Sequence, residues 1–286
     1  MSTPPPSAAE VPSDTDTTAR LTSYVDVWWA AVEDFLALAT SLAPEEWRRP
    51  TDLPGWTAHD VLAHLVHLES LTVGGEHPQV DIGEAAHVRN DMGRFTEQGV
   101  VARRDADPAA LVEELRSTTR GRYDDLRAHP PTDASATAPG AFGLLGWDTE
   151  TFLGNRPFDV WMHEQDLRRA VDRPGGLDGL PAAYCAQRLL RSVPFVVGKR
   201  VKPAPGTSVV VEVGALPPVG VLVGEDGRGR PVPVEELDAP TATIRTDLEA
   251  FCLASGGRGE ADPARWELSG DEDLARRVVA NLAVTP

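Results

Sequence analysis

Two segments of the sequence each place histidine on a helical face that is otherwise apolar. Around His64, at about 100° per residue, three aliphatic side chains fall within roughly 60°: Val61, Leu68 and Leu71. We therefore expect the imidazole of His64 to face the core, with Glu69 on the far side of the helix. His67 lies at the edge of the apolar stripe and is interpreted as a packing neighbour. A lone histidine in such a place is more often a satisfied core residue than a ligand.

The second segment carries an acid and a histidine four residues apart, Asp159 and His163, with Asp166 one turn further on. Helical spacing brings these three side chains within about 60° of one another. The opposite face contains residues that we expect to face solvent, namely Glu164, Gln165, Arg168 and Arg169. The spacing favours an inward Asp–His stripe, and the alternative is an i,i+4 Asp–His pair on a solvated helix.

Imidazole and carboxylate groups that face a common interior need a partner, because burying them unpaired is costly. Two imidazole nitrogens and one carboxylate oxygen are the ligand set typical of a catalytic zinc, with further positions open for water or substrate. The pattern therefore predicts a metal site formed by His64, Asp159 and His163. Asp166 is then predicted to accept the other ring N–H of His163 and so to fix its tautomer.

The elements that must position these residues are amphipathic helices. Apolar spacing of three and four residues predicts helices over residues 19–40, 58–73, 82–104, 107–126 and 182–197. Another helix is predicted to follow Pro157 and to end before Arg173. Thr57 and Asp60 have the spacing of a capping box at the start of the second helix. Residues 130–147 are rich in Pro, Gly, Ala and Thr and are predicted to form a long loop.

The pattern changes after residues 202–206, which contain two prolines and a glycine and indicate a domain boundary. Runs rich in β-branched residues predict strands over 207–213, 219–223, 241–246 and 265–268, with helices over 248–253 and 274–282. We therefore expect a flexible leader over residues 1–18, a helical domain over 19–202 and a small α+β domain over 207–286.

Composition excludes several classes of partner. The 44 acidic and 27 basic side chains among 286 residues give a net charge of −17, which repels nucleic acid and anionic membranes. No apolar run approaches the ~20 residues that span a bilayer, and the N-terminus lacks the pattern of a signal peptide. The two cysteines, Cys185 and Cys252, stand far apart, which excludes a disulfide scaffold and favours a reducing cytoplasm.

Motifs in both halves of the chain match a known family. In the helical half they are Leu53-Pro54-Gly55-Trp56-Thr57, Val61-Leu62-Ala63-His64-Leu65 and the segment from Arg156 to Leu167. In the other half they are Asp247-Leu248, Ser255-Gly256-Gly257-Arg258 and Trp266-Glu267-Leu268-Ser269-Gly270-Asp271. The sequence resembles the mycothiol-dependent maleylpyruvate isomerase family of actinobacteria over nearly all of the chain after the leader. This resemblance implies a mixed fold, in which a DinB-like four-helix bundle that carries a metal precedes a small sterol-carrier-like α+β domain.

The resemblance also implies chemistry. Family members bind a divalent metal, usually Zn²⁺, through residues that match His64, Asp159 and His163. Most of them have glutamate at the position of Asp159, so the shorter side chain here must draw the helices closer or bind through water. They also need an arginine of the C-terminal domain near the active site, for which Arg258 is the candidate; the alternative is an arginine in a surface turn.

The predicted activity is that of a metal-dependent and mycothiol-dependent isomerase or thiol transferase. The metal lowers the pKa of the co-substrate mycothiol, whose thiolate attacks a small electrophile, and Arg258 or Arg156 binds a substrate carboxylate. The expected partners are this thiol and this electrophile, and the chain is expected to be a cytoplasmic monomer or homodimer. Two alternatives stay open: a metal-dependent hydrolase or S-transferase acting on another substrate, and a non-catalytic binding or regulatory module in which Asp159 marks a decayed site.

Overall fold

The computed structural model describes residues 17–259 and 262–285, which form two compact units. One unit ends at Pro181 and the other begins at Ala182. Residues 1–16 of the predicted leader lie outside the described residues, whereas Thr17 and Thr18 already belong to the first helix. Among the helices that the structure describes, none is both long enough and apolar enough to cross a membrane.

The first unit is helical. Its helices are α1 (Thr17–Thr40), α2 (Ala58–Thr72), α3 (Asp91–Val101), α4 (Pro108–Ala128), α5 (Gly140–Leu144) and α6 (Thr149–Ala170), with a 3₁₀ turn at Glu46–Arg48. The four long helices form a closed bundle, in which α1 and α2 each pack against both α4 and α6. Large side chains fill its centre, among them Trp28, Phe35, Leu62, Leu65 and Trp161. The prediction of a four-helix bundle is confirmed.

The start of α2 follows from its local sequence. The Thr57 hydroxyl accepts from the backbone N–H of Asp60, and the Asp60 carboxylate accepts from that of Thr57, which is the predicted capping box. Helix α2 is buried on nearly all sides, because α4 and α6 pack against it and α3 covers a further face. Polar residues on any side of α2 must therefore find partners within the protein.

Helix α6 differs from its prediction, because it begins at Thr149 and contains Pro157 in its interior. Asp148 caps it by accepting from the backbone N–H of Thr151. Proline has no N–H for a helical hydrogen bond, but the buried packing of α6 in the bundle outweighs that loss. Two other elements are also corrected: α3 is shorter than residues 82–104, and the loop over 130–147 contains α5.

The second unit is a mixed sheet with helices. Helix α7 (Leu180–Leu190) crosses the boundary between the units, and α8 (Val193–Phe195) leads into a π turn at Val196–Val201. The remaining elements are β1 (Ser208–Val213), β2 (Val219–Val223), β3 (Gly229–Val232), β4 (Ala242–Thr246), α9 (Leu248–Ser255), β5 (Trp266–Gly270) and α10 (Glu272–Ala280), with 3₁₀ turns at Val234–Glu236 and Pro263–Arg265.

The five strands lie in the order β3-β2-β1-β4-β5. Strands β1 and β4 are parallel, and all other neighbours are antiparallel. The sequence pattern did not predict β3, because Pro231 interrupts it; β3 is an edge strand, where proline is tolerated. Residues 193–201 pack against β2 and β3, so this helical segment belongs with the sheet, whereas the sequence analysis places it in the helical domain.

Candidate metal site

The three predicted ligands converge from two helices of the bundle. Helix α2 supplies His64, and α6 supplies Asp159 and His163. Asp159 Oδ1 lies 3.7 Å from Nε2 of His64 and 3.7 Å from Nε2 of His163. One ligand atom from each of the three side chains lies within 4.8 Å of the other two. The shorter aspartate side chain therefore still brings one oxygen close to both imidazoles.

His64 is the most unusual member of this group. Its side chain is 5% exposed, and within the described part of the chain neither of its ring nitrogens has a hydrogen-bond partner. Burial lowers the pKa of His64, so the imidazole is neutral near pH 7. A neutral imidazole has one ring nitrogen with a free lone pair, and in the interior that lone pair needs a donor or a cation.

His163 is held in one orientation by Asp166. Nδ1 of His163 lies 3.0 Å from Oδ2 of Asp166, which is fully buried. Because a carboxylate accepts, we assign a proton to Nδ1. The nitrogen of His163 that can bind a cation is then Nε2, the atom that faces Asp159. This contact is the one that the sequence predicts for Asp166.

Asp159 is oriented by Arg156, one turn earlier on the same helix. Nη1 of Arg156 donates to Oδ2 of Asp159 at 3.0 Å, which leaves Oδ1 toward the two imidazoles. Burial by itself would raise the pKa of Asp159, but the guanidinium of Arg156 and the nearby imidazoles outweigh it, so the pKa lies well below its usual range. Asp159 therefore offers an ionised oxygen to a cation at this position.

Arg156 is in turn bound by Glu69, a residue that sequence reasoning missed. Oε1 of Glu69 accepts from Nε and Nη2 of Arg156 at 3.0 and 2.8 Å and from Nε1 of Trp28 at 3.0 Å. Its other oxygen accepts from Nη1 of Arg122 at 3.0 Å. Glu69 lies on the side of α2 away from His64, as predicted, yet it is fully buried because α2 is enclosed on that side as well. The side chain of Arg156 is 1% exposed, and three of its five N–H groups already donate to Glu69 and Asp159.

The indole of Trp56 forms a wall of the site. Its ring centroid lies 5.0 Å from that of His64 and 6.1 Å from that of His163. Its N–H donates to Oε2 of Glu97 on α3 at 2.8 Å. Trp56 is only partly buried, so it lies between the imidazole pair and solvent.

Glu97 anchors this wall through further charged partners. Arg104 donates to Glu97 at 3.0 Å and to the capping residue Asp60 at 3.0 Å, and Nε2 of His87 lies 2.9 Å from Glu97. The turn before Trp56 requires glycine, because Gly55 has φ +82° and a Cβ there would lie 2.5 Å from the His87 ring. Helix α3 therefore fixes the indole beside the metal site.

His67 belongs to a separate chain of hydrogen bonds. Gln98 donates to Val80 O through its amide nitrogen, so its carbonyl oxygen accepts from Nε2 of His77 at 3.1 Å. Nδ1 of His77 then accepts from Nε2 of His67 at 3.2 Å. This pairing confirms that His67 is a core neighbour, and burial lowers its pKa to about 3.

The predicted solvent face of α6 is corrected. Glu164 is fully buried and Gln165 nearly so, whereas Arg168 is partly exposed and Arg169 is exposed as predicted. Glu164 accepts from Nε of Arg168 at 2.6 Å, and burial raises its pKa to about 7. A helical wheel predicts one buried face, but α6 is enclosed on several.

Arg258 and the two cysteines lie in the second unit. Arg258 is 9% exposed and its guanidinium donates to the carbonyl of Gly256, so it is a buried residue rather than one on a surface turn. Cys185 and Cys252 are both buried and unbridged, and burial raises the pKa of Cys252 to about 12. Neither cysteine is suited to act as a nucleophile.

The three side chains fit a small divalent cation. Two atoms that each bind zinc at about 2.0–2.2 Å lie at most about 4.4 Å apart. Both Asp159–histidine spacings, at 3.7 Å, satisfy this limit, and all three ligand atoms lie within 4.8 Å of one another. The candidate donors are two imidazoles and one ionised carboxylate, and each of the two donors on α6 is held by a second residue. The strongest argument for such a cation is the His64 ring, which is buried and has no hydrogen-bond partner among the described residues.

Comparisons with known proteins agree on one family. Residues 28–168 match the model of the mycothiol maleylpyruvate isomerase N-terminal domain. Two solved structures are similar: that of the mycothiol-dependent maleylpyruvate isomerase, at 17% identity and a TM-score of 0.51, and that of a histidine-to-alanine variant, at 15% and 0.52. Each match covers 87% of this chain and 92% of the other. At such identity the likeness establishes the fold. No curated protein matches the sequence significantly.

Proposed function

We propose that this chain, whose residues 28–168 match the mycothiol maleylpyruvate isomerase N-terminal domain, is a member of that family and a metal-dependent enzyme that uses mycothiol to isomerise a small electrophile. His64, Asp159 and His163 are its metal ligands, and Zn²⁺ is the ion that best suits two imidazoles and a carboxylate. The single observation that carries this proposal is the convergence of these side chains around an imidazole with no other partner. A cation bound there lowers the pKa of a thiol that reaches it.

The residues around the ligands prepare the site for that role. Asp166 keeps the lone pair of His163 on Nε2, and Arg156 keeps one oxygen of Asp159 free to bind. Trp56 narrows the approach to the ligands and offers an apolar face to whatever binds beside them. With three protein ligands, a zinc keeps a position open for an external thiol. The thiol must be external, because both cysteines are buried.

The proposed reaction needs no net oxidant. The mycothiol thiolate adds to one alkene carbon of a maleylpyruvate-type cis substrate, forming a C–S bond while the π electrons move to the conjugated carbonyl oxygen. Rotation about the resulting C–C single bond follows. The enolate electrons then re-form the double bond and expel the thiolate, which gives the trans isomer and restores the thiol. Mycothiol is therefore a catalyst in isomerisation and is consumed only in a transfer reaction.

Metal analysis tests the ligand set. We expect about one zinc per chain in the purified protein, lost in His64→Ala and His163→Ala but retained in His67→Ala, which removes a buried histidine of the same helix. Metal-free protein whose stability does not respond to added zinc would contradict the metal site and would favour the non-catalytic binding module.

Counting thiol equivalents separates the enzymatic alternatives. The protein is supplied with mycothiol and maleylpyruvate-type or other electrophiles, and both free thiol and product are measured. Product formation at constant thiol indicates an isomerase, and one thiol lost per product indicates a transferase. Turnover without any thiol indicates a hydrolase and would contradict the proposed activity. Arg258→Gln, tested in the same assay, lowers turnover if this arginine acts at the site as the family resemblance implies.

A further inference from the structure

The carboxylate of Glu69 joins all four long helices of the bundle. It lies on α2 and accepts hydrogen bonds from Trp28 on α1, Arg122 on α4 and Arg156 on α6. Its side chain is fully buried, and those of its two arginine partners are 6% and 1% exposed. No ligand role is assigned to Glu69, yet one of its partners touches a proposed ligand directly, because Arg156 also donates to Asp159.

We propose that Glu69 and Arg156 are positioning residues for the cation site. Glu69 fixes the guanidinium of Arg156, and Arg156 fixes the carboxylate of Asp159 so that one of its oxygens faces both imidazoles. This inference rests on the proposed metal-binding function. It adds that the geometry of the site depends on Glu69, which lies on α2 and reaches the ligands only through Arg156. The same residue links α2 to the other three long helices by hydrogen bonds.

The planar fork of arginine makes this relay specific. Nε and Nη2 of Arg156 bind Glu69, while Nη1 binds Asp159, so one rigid group spans two carboxylates. A lysine ammonium has the same charge but is a compact point on a flexible stem. It cannot reproduce three directed bonds to two acids. Arginine-to-lysine substitution therefore removes the positioning while it keeps the charge.

Charge balance explains why Glu69 is needed. The buried group contains two guanidiniums, of Arg122 and Arg156, and two carboxylates, of Glu69 and Asp159. Burial would raise the pKa of Glu69, but Arg156 and Arg122 outweigh it, and Glu69 stays ionised. Without this carboxylate, Arg122 would lose its one carboxylate partner among the described residues, and Arg156 would keep only Asp159.

The structure supplies a matched control. Arg122 binds the other oxygen of the same Glu69, is equally enclosed, and packs its guanidinium over the rings of Trp28 and Phe152, at 4.5 and 4.9 Å from their centroids. Its one carboxylate partner among the described residues is Glu69, so it has no contact with Asp159. Arg122→Lys therefore disturbs the same carboxylate as Arg156→Lys but leaves the Asp159 contact in place.

The test compares zinc affinity and stability in Arg156→Lys, Arg122→Lys and the unaltered chain. Zinc binding is measured by competition with a chromophoric chelator, and the ligand field is measured from the visible spectrum of the Co²⁺ form. We expect Arg156→Lys to weaken zinc binding by about 10–100-fold and to change the Co²⁺ spectrum. We expect the two lysine variants to lower the melting temperature by comparable amounts. In Arg122→Lys, however, the zinc affinity should stay within about threefold of that of the unaltered chain, and the Co²⁺ spectrum should be unchanged.

A third variant extends the test to Glu69. Glu69→Gln keeps the shape of the side chain, and we expect it to weaken zinc binding in the manner of Arg156→Lys, since Arg156 loses its partner. Equal zinc affinity in Arg156→Lys and the unaltered chain would overturn the inference, and so would equal losses in both lysine variants. If the unaltered chain itself bound neither Zn²⁺ nor Co²⁺, the proposed function would fail together with this inference. Metal binding by the unaltered chain with either of the outcomes above would overturn the inference alone.

Discussion

Without metal, His64→Leu should be more stable than the unaltered chain. With zinc, it should be less stable than the unaltered chain. Both ring nitrogens of His64 are buried without a hydrogen-bond partner among residues 17–259 and 262–285, and Nε2 lies 3.7 Å from Oδ1 of Asp159, beyond hydrogen-bond distance. A buried polar group left unpaired costs about 1–3 kcal/mol, and leucine has similar bulk without that group. We therefore expect the free energy of unfolding of metal-free His64→Leu to exceed that of the metal-free unaltered chain by about 1–3 kcal/mol.

Zinc should reverse this order. A ligand that binds only the folded state stabilises it by about 2.7 kcal/mol at 100 times its dissociation constant. For a protein of this size, 1 kcal/mol corresponds to roughly 2–4 °C in melting temperature, so the unaltered chain should gain roughly 5–10 °C. His64→Leu lacks one of the three ligands and should gain little.

Chelator-treated protein is unfolded in urea and by heat, with and without buffered zinc, and followed by circular dichroism. His67→Leu is the control, because it removes a fully buried histidine one turn further along α2 that bonds to His77 instead of the site. That variant should keep the zinc response. A metal-free His64→Leu that is less stable than the unaltered chain, together with a full zinc response, would refute the reasoning.

Three further predictions concern other parts of the structure. In Gly99→Ala, the new Cβ would lie 2.0 Å from Cδ2 of His67, so we expect a loss of about 1–3 kcal/mol in urea unfolding. Gly121→Ala, on a helix position with no described atom within 4 Å, should instead gain about 0.5–1 kcal/mol, and equal effects would contradict the close packing of α3 on α2. Burial raises the pKa of Glu164 from 4.5 to about 7, so across this window the folded chain keeps a proton that the unfolded chain has released, and stability falls as pH rises. From pH 4.5 to 8, we expect the free energy of unfolding to fall by on the order of 3 kcal/mol through this group, and Glu164→Gln should remove that fall. An unchanged pH dependence in the variant would assign it to other groups. Because the thiol of Cys252 has a pKa raised to about 12 by burial, the native protein should react only slowly with a disulfide reagent at pH 8, and fast release of a thiol equivalent would show that a cysteine is accessible.

Local sequence was sufficient for the features that depend on near neighbours. The capping box of Thr57 and Asp60, the i,i+4 spacing of Asp159 and His163, and most strands of the second unit all follow from patterns within a few residues. Periodicity also predicts the inward direction of His64, because one face of its helix is clearly apolar.

The tertiary structure alone decided which residues support the ligands. Glu69 and Arg156 are 87 residues apart, and Trp56 and Glu97 are 41 apart, so no local pattern links them. A helical wheel assumes one buried face, whereas α2 and α6 are enclosed on several sides. Charged residues that a wheel assigns to solvent are then forced into the interior, where each must be paired. For this reason the three candidate ligands could be proposed from the sequence, but the charge network that orients them required the packed bundle.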